Sequence, residues 1–127
     1  MKYKFTIILC IFSVHFFAQG SNFIETEISI PSKKNTINGS ILAPENVVKT
    51  PLMILIPGSG NTDRDGNQGR LMGDYLKYLA LDLAEESIAS FRYDKGTVEL
   101  SKNENIKEEE ISFDDFIDDA IAVINYF

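Results

Sequence analysis

The segment spanning residues 57–67, Pro-Gly-Ser-Gly-Asn-Thr-Asp-Arg-Asp-Gly-Asn, has the composition of a ligand-binding loop. Gly58 and Gly60 flank Ser59, and glycines at such positions allow backbone N–H groups to face a ligand. The loop follows an apolar run that is typical of a buried strand, and ligands of open α/β sheets bind at the carboxyl ends of strands. It therefore predicts a cradle for an anion or an oxyanion. The alternative is a tight turn in which glycine only supplies a positive φ.

Two other kinds of ligand loop can be tested by their spacing. A phosphate-binding P-loop ends in Gly-Lys-Ser/Thr, and no such ending follows Gly58 or Gly60. Calcium ligands at positions 1, 3 and 5 and the glycine at position 6 of an EF-hand loop match Asn61, Asp63, Asp65 and Gly66. Position 12 would be Met72, which has no carboxylate, so only a calcium site of another kind stays open.

The hydrophobic periodicities predict an α/β fold with a three-layer sheet. Strands are predicted over 23–30, 36–42, 52–56 and 88–93, and helices over 72–86 and 112–127. Ser112 is the predicted N-cap of the second helix, and residues 96–112 are predicted to form a solvated loop. The first two strands form an antiparallel hairpin, and the first strand alternates between apolar residues and a polar outer face. The continuous apolar run 52–56 predicts a strand buried on both faces, which continues as a βαβ unit.

The first twenty residues resemble a secretory signal peptide. A basic start is followed by an apolar run and by Ala18-Gln19-Gly20, which fits a cleavage site. The apolar run is shorter than the roughly 20 residues that a spanning helix needs, which disfavours a retained anchor. We therefore expect residues 1–20 to be a leader, residues 21–127 to form a partial domain, and the protein to be exported to the periplasm or the extracellular space, with no stable membrane association after leader removal.

Loss of the leader removes residue types that several kinds of site require. It removes Lys2 and Lys4, which changes the net charge from −7 to −9, and it removes Cys10 and His15, the only cysteine and histidine. Nucleic-acid binding is disfavoured by this charge. Disulfides, Cys/His zinc sites and a complete Ser-His-Asp triad are excluded within residues 21–127.

The motifs Gly58-Ser59-Gly60, Asp63-Arg64-Asp65-Gly66 and Phe91-Arg92-Tyr93-Asp94-Lys95, in strand–loop–helix–strand order, resemble the amino-terminal part of the secreted esterase-like α/β-hydrolases. These are relatives of the dienelactone-hydrolase and serine-aminopeptidase groups. The resemblance covers about residues 23–127. Pro57 stands where many hydrolases have His, and Gly96-Thr97 where many relatives have Arg-Gly.

The resemblance implies that the loop Gly58, Ser59, Gly60 supplies half of an oxyanion hole through the backbone N–H of Ser59, the other donor being the residue after the nucleophile. It implies no cofactor and a small-molecule ester or acyl substrate. We expect the charged residues near the two strand ends to organise the loop; these are Asp63, Arg64, Asp65, Arg92 and Asp94.

The Gly-x-Ser-x-Gly elbow, the acid and the histidine follow later in this fold, and none is present here. We therefore expect residues 21–127 to be an amino-terminal portion, inactive alone, with an exposed apolar strand edge beside 52–56. The alternative is a small exported binding module that uses the 57–67 loop for an anion or calcium.

Overall fold

The computed structural model describes residues 22–96, Val98 and 112–127, which form a mixed four-stranded sheet and two helices. The strands are β1 (Phe23–Pro31), β2 (Thr36–Pro44), β3 (Leu52–Leu55) and β4 (Ala89–Tyr93), and the helices are α1 (Tyr75–Glu85) and α2 (Phe113–Tyr126). The predicted α/β class and all six predicted elements are confirmed, with ends displaced by at most three residues. The predicted leader and most of the predicted loop over 96–112 lie outside the described residues.

The strands lie in the order β1-β2-β4-β3. β1 and β2 form the predicted antiparallel hairpin, in which Ile30 pairs with Ile37. β4 is antiparallel to β2 and parallel to β3, to which it is joined through α1, as a βαβ unit requires. Because β3 and β4 are parallel, their carboxyl ends meet at one edge of the sheet, and the segments that follow them are neighbours.

The two helices pack on opposite faces of the sheet. Neighbouring side chains of a strand point to opposite faces, and Ile41 and Leu42 of β2 belong to different clusters. Leu42 packs with Leu76 of α1. Ile41 packs against the cluster that contains Val123 of α2. The sheet is therefore the middle of three layers, as predicted.

The predicted burial of the 52–56 strand on both faces is wrong. Met53 is 42% exposed and Ile56 is 60% exposed, and the strand ends at Leu55. Within the described residues, β3 is an edge strand with a hydrogen-bonded neighbour on one side only, so the covering layers do not enclose it. Helix α1 begins later than predicted because Asp74 has a left-handed conformation, with φ 47°.

Helix α2 is docked on the turn between β1 and β2. Ser32 Oγ donates a hydrogen bond to the carboxylate of Asp119, and Lys33 forms an ion pair with Asp118 at 2.9 Å. Asp119 is 6% exposed. Burial raises the pKa of Asp119, and the hydrogen bond from Ser32 opposes this shift. At the start of α2, the predicted N-cap Ser112 donates its backbone N–H to Asp115 Oδ2 at 2.8 Å.

No helix of the described part of the chain has the length and hydropathy needed to cross a membrane.

Candidate functional site

The 57–67 loop lies at the carboxyl end of β3, and its second half is folded around Asp63 and Asn67. Asp63 Oδ1 accepts hydrogen bonds from the backbone N–H groups of Asp65 at 3.0 Å and Asn67 at 2.7 Å. Asn67 Oδ1 accepts hydrogen bonds from the backbone N–H groups of Gly73 at 2.9 Å and Asp74 at 3.0 Å. The buried Asn67 side chain thus ties the loop to the residues before α1, a role that the sequence analysis did not assign.

Arg64 joins the loop to the end of β4 and to the hairpin. Its Nη2 lies 2.7 Å and its Nε 3.2 Å from Asp94 Oδ2, and its backbone N–H donates to Asp94 Oδ1 at 3.0 Å. Its Nη1 donates to Glu27 and, at 2.8 Å, to Ser40 Oγ. Burial lowers the pKa of Arg64, but the hydrogen bonds of Asp94 and Glu27 outweigh it and raise this pKa overall. The same hydrogen bond from Arg64, followed by that from Ser40, lowers the pKa of Glu27.

Arg92 of β4 links the loop to β1 from within the sheet. Its Nη2 lies 2.6 Å from Glu25 Oε1 and 3.2 Å from Asp65 Oδ1. Arg92 is 2% exposed, and its Nε and Nη1 have no hydrogen-bond partner among the described residues. Burial raises the pKa of Asp65, and the charge of Arg92 opposes this shift.

A cavity of about 440 Å³ lies over this network on the α1 side of the sheet. Among the lining residues that the structure describes, five are carboxylates and three are cations; they are Glu25, Glu27, Asp63, Asp65 and Asp94, with Arg64, Lys77 and Arg92. A lining with an excess of negative charge repels anions. The described lining of this cavity therefore gives no support to the anion cradle that the loop composition predicts.

The two peptide units on either side of Ser59 are both held through their carbonyl oxygens. Lys95 Nζ donates to Gly58 O at 3.0 Å, and Thr62 Oγ1 donates to Ser59 O at 3.1 Å. Ser59 is exposed, and its backbone N–H has no acceptor within the residues that the structure describes. The N–H of a trans peptide points opposite to its C=O, so the Ser59 N–H points away from Lys95. The result is an oriented donor at the carboxyl edge of the sheet.

The backbone conformation of the loop requires glycine at some of its glycine positions and not at others. Gly60 has φ 85° and Gly66 has φ 93°, a region that favours glycine. Gly58 is outside that region, and a Cβ there would meet only the Tyr75 hydroxyl, at 3.8 Å. Backbone conformation therefore accounts for Gly60 and Gly66, but it does not account for Gly58.

The described residues of the loop give no support to the calcium alternative. The two carboxylate oxygens of Asp63 accept hydrogen bonds from Asp65 and Asn67. Across the described ranges, no three acidic, histidine or cysteine residues are grouped so that they could hold a metal ion.

The structure brings the predicted charged residues together in two pairs, Arg64 with Asp94 and Arg92 with Asp65, while Asp63 stays within the loop. The sequence analysis missed Glu25 and Glu27 of β1, which it placed on a polar outer face. That face is the one that carries the arginines. The alternation of β1 puts both glutamates on one face, but only the pairing register, Glu27 opposite Ser40, shows that this face meets Arg64.

No protein-family model matches this sequence, and no curated protein matches it either.

Proposed function

We propose that this chain is the amino-terminal part of an exported serine hydrolase that acts on carboxylic esters or related acyl compounds. Its contribution is the 57–67 loop, in which the backbone N–H of Ser59 is one of two donors to the oxyanion. The nucleophile, acid and base are expected in a part of the protein outside residues 1–127. Alone, residues 21–127 are expected to be inactive.

The oriented backbone N–H of Ser59, in an exposed residue, is the observation that carries the proposal. An oxyanion donor must be oriented before the reaction, so that it stabilises developing charge without reorganising. The Ser59 N–H has this property because the peptide units before and after it are held by Lys95 and Thr62. Its own N–H has no acceptor in the described part of the chain, so it is available to a ligand.

The sheet edge supports the same proposal. β3 ends directly before the loop and has no strand on its outer side within the described residues. In the hydrolase fold the strand that carries the nucleophile pairs beside this one, which would bring the second donor next to Ser59. The exposed Met53 and Ile56 are the apolar side chains that such a strand and its covering layer would bury.

A serine-reactive fluorophosphonate probe and a series of p-nitrophenyl esters of increasing acyl length test the proposal on the product of the complete gene. We expect labelling of one serine and ester hydrolysis. Gly58→Ala adds a methyl group beside the proposed oxyanion donor, and its only neighbour within 4 Å among the described residues is the Tyr75 hydroxyl, at 3.8 Å. The substitution should therefore leave the melting temperature unchanged. Its kcat should fall about 10- to 100-fold, because a small misplacement of substrate has effects of this size.

Absence of both labelling and hydrolysis would exclude the hydrolase. In that case, amide shifts of residues 57–67 on titration with phosphate or Ca²⁺ would support the binding module instead.

A further inference from the structure

The side chain of Lys95 connects three elements at the carboxyl edge of the sheet. It follows β4, its Nζ lies 3.0 Å from the Gly58 carbonyl oxygen after β3, and the same Nζ lies 4.3 Å from the centre of the Phe116 ring on α2. A cation over an aromatic face is attracted to the ring, most strongly where water is partly excluded. Phe116 and Lys95 are both half-buried. The ammonium group is held on one side by the Gly58 carbonyl oxygen and on the other by the Phe116 ring.

We propose that Lys95 is a positioning residue, which orients the Ser59 N–H by binding the carbonyl of the peptide unit before it. The catalytic consequence rests on the proposed function of the loop, whereas the positioning itself does not. A peptide unit is planar, so fixing the direction of the Gly58 C=O also fixes the direction of the Ser59 N–H.

The loop needs this contact because Gly58 restricts the peptide less than any other residue would. Glycine has no Cβ, and the peptide that follows it can rotate through a wide range of angles. Thr62 holds only the next peptide, through Ser59 O. Without Lys95, nothing in the described residues would hold the Gly58 carbonyl, and the Ser59 N–H would sample several directions.

Isotope labelling reads this orientation without any activity. With ¹³C-carbonyl glycine and ¹⁵N serine, only Gly-Ser pairs give a correlated signal, and the printed sequence has three, ending at Ser21, Ser40 and Ser59. Loss of the Ser59 signal in Ser59→Ala assigns it. In Lys95→Met, which keeps length and apolar contact, we expect the Gly58 carbonyl carbon to move upfield and the Ser59 amide signal to broaden or shift. Lys49→Met is the matched control, because Lys49 is an exposed lysine in the connection between β2 and β3.

Kinetics of the complete gene product then separate positioning from general damage. We expect Lys95→Met to lower kcat about 10- to 100-fold with KM changed less than about threefold, because the interaction acts in the transition state. Lys95→Arg keeps a charged donor and should restore part of the loss. Phe116→Leu, which removes the ring but keeps an apolar side chain, should move the Gly58 carbonyl signal in the same direction by a smaller amount. It also tests the proposal if Lys95→Met does not fold.

The outcomes are distinguishable. If Gly58 and Ser59 signals in Lys95→Met match those of Lys49→Met, the positioning role is wrong, whatever the activity. If these signals move but the protein neither hydrolyses esters nor reacts with the fluorophosphonate probe, the positioning role stands and the proposed function fails. An equal loss of kcat in Lys95→Met and Lys95→Arg, with unchanged signals, would also overturn the proposal.

Discussion

Removal of the ion pair between Arg64 and Asp94 should detach the 57–67 loop from the end of β4 at a measurable cost in stability. The two side chains are 18% and 9% exposed, and two guanidinium nitrogens lie 2.7 and 3.2 Å from Asp94 Oδ2. For unit charges about 3 Å apart and an effective dielectric constant of about 20, the attraction is about 5 kcal/mol. Desolvation and lost side-chain entropy oppose this attraction, which leaves an expected coupling free energy of about 2–3 kcal/mol.

The partner of Arg64 on β1 provides an internal comparison. Glu27 is 73% exposed, so water solvates its carboxylate and its ion pair with Arg64 adds little stability. Exposed ion pairs contribute about 0–1 kcal/mol, and we expect the coupling of Arg64 with Glu27 to lie in that range. The same arginine should therefore show two different couplings, set by the burial of its partners.

Two double-mutant cycles measure these couplings by urea unfolding at pH 7. One uses Arg64→Met and Asp94→Asn, the other Arg64→Met and Glu27→Gln, each with its double mutant. Asp94→Asn keeps a side-chain oxygen that can accept from the backbone N–H of residue 64, and Arg64→Met keeps that N–H, so the first cycle is expected to isolate the side-chain contacts. A coupling below about 1 kcal/mol for Asp94, or equal couplings for both partners, would refute the assignment of Arg64 as the anchor of the loop.

Three further perturbations follow from the same contacts. Gly39→Ala should destabilise the protein by about 1–3 kcal/mol or more, because its Cβ would lie 2.5 Å from Arg92 O and would clash with Cζ and Cε2 of the buried Phe91 ring. Gly58→Ala is the control, and equal unfolding midpoints for the two variants would contradict this reasoning. Burial raises the pKa of Asp119, so the folded state binds its proton more tightly and stability falls as the pH rises from 3.8 through the raised pKa. Asp119→Asn removes this pH dependence. The free energy of unfolding of the variant minus that of the wild type, measured by urea titration, should therefore increase from pH 4 to pH 7. A decrease would mean that folding lowers the pKa of Asp119 instead. Replacement of Arg92 by Met removes the charge that opposes the shift of Asp65, so the pKa of the Asp65 carboxyl, followed by ¹³C NMR, should rise further; an unchanged pKa would refute the Arg92–Asp65 contact.

The elements of this fold could be predicted because each one leaves a local pattern. Alternation along β1, the apolar run of β3 and the N-cap of α2 at Ser112 depend on residues that are neighbours in sequence, and all three are present. The hairpin and the parallel β3–β4 pair followed from connection lengths and element order. Burial of β3 could not be predicted in this way, because a strand at the sheet edge and one at its centre can share the same apolar run.

By itself, the sequence determined the order and type of the elements, the glycine-rich loop after β3 and the charged residues at the ends of two strands. Only the tertiary structure decided which charges pair. Glu27 and Arg64 are 37 residues apart, and Lys95 meets Gly58 across the same separation. Such contacts depend on strand order and register, which sum many weak interactions over the whole sheet, and no local pattern encodes them. The direction of the Ser59 N–H is likewise a property of the folded chain, since it is set by Lys95, which reaches the loop from the end of β4.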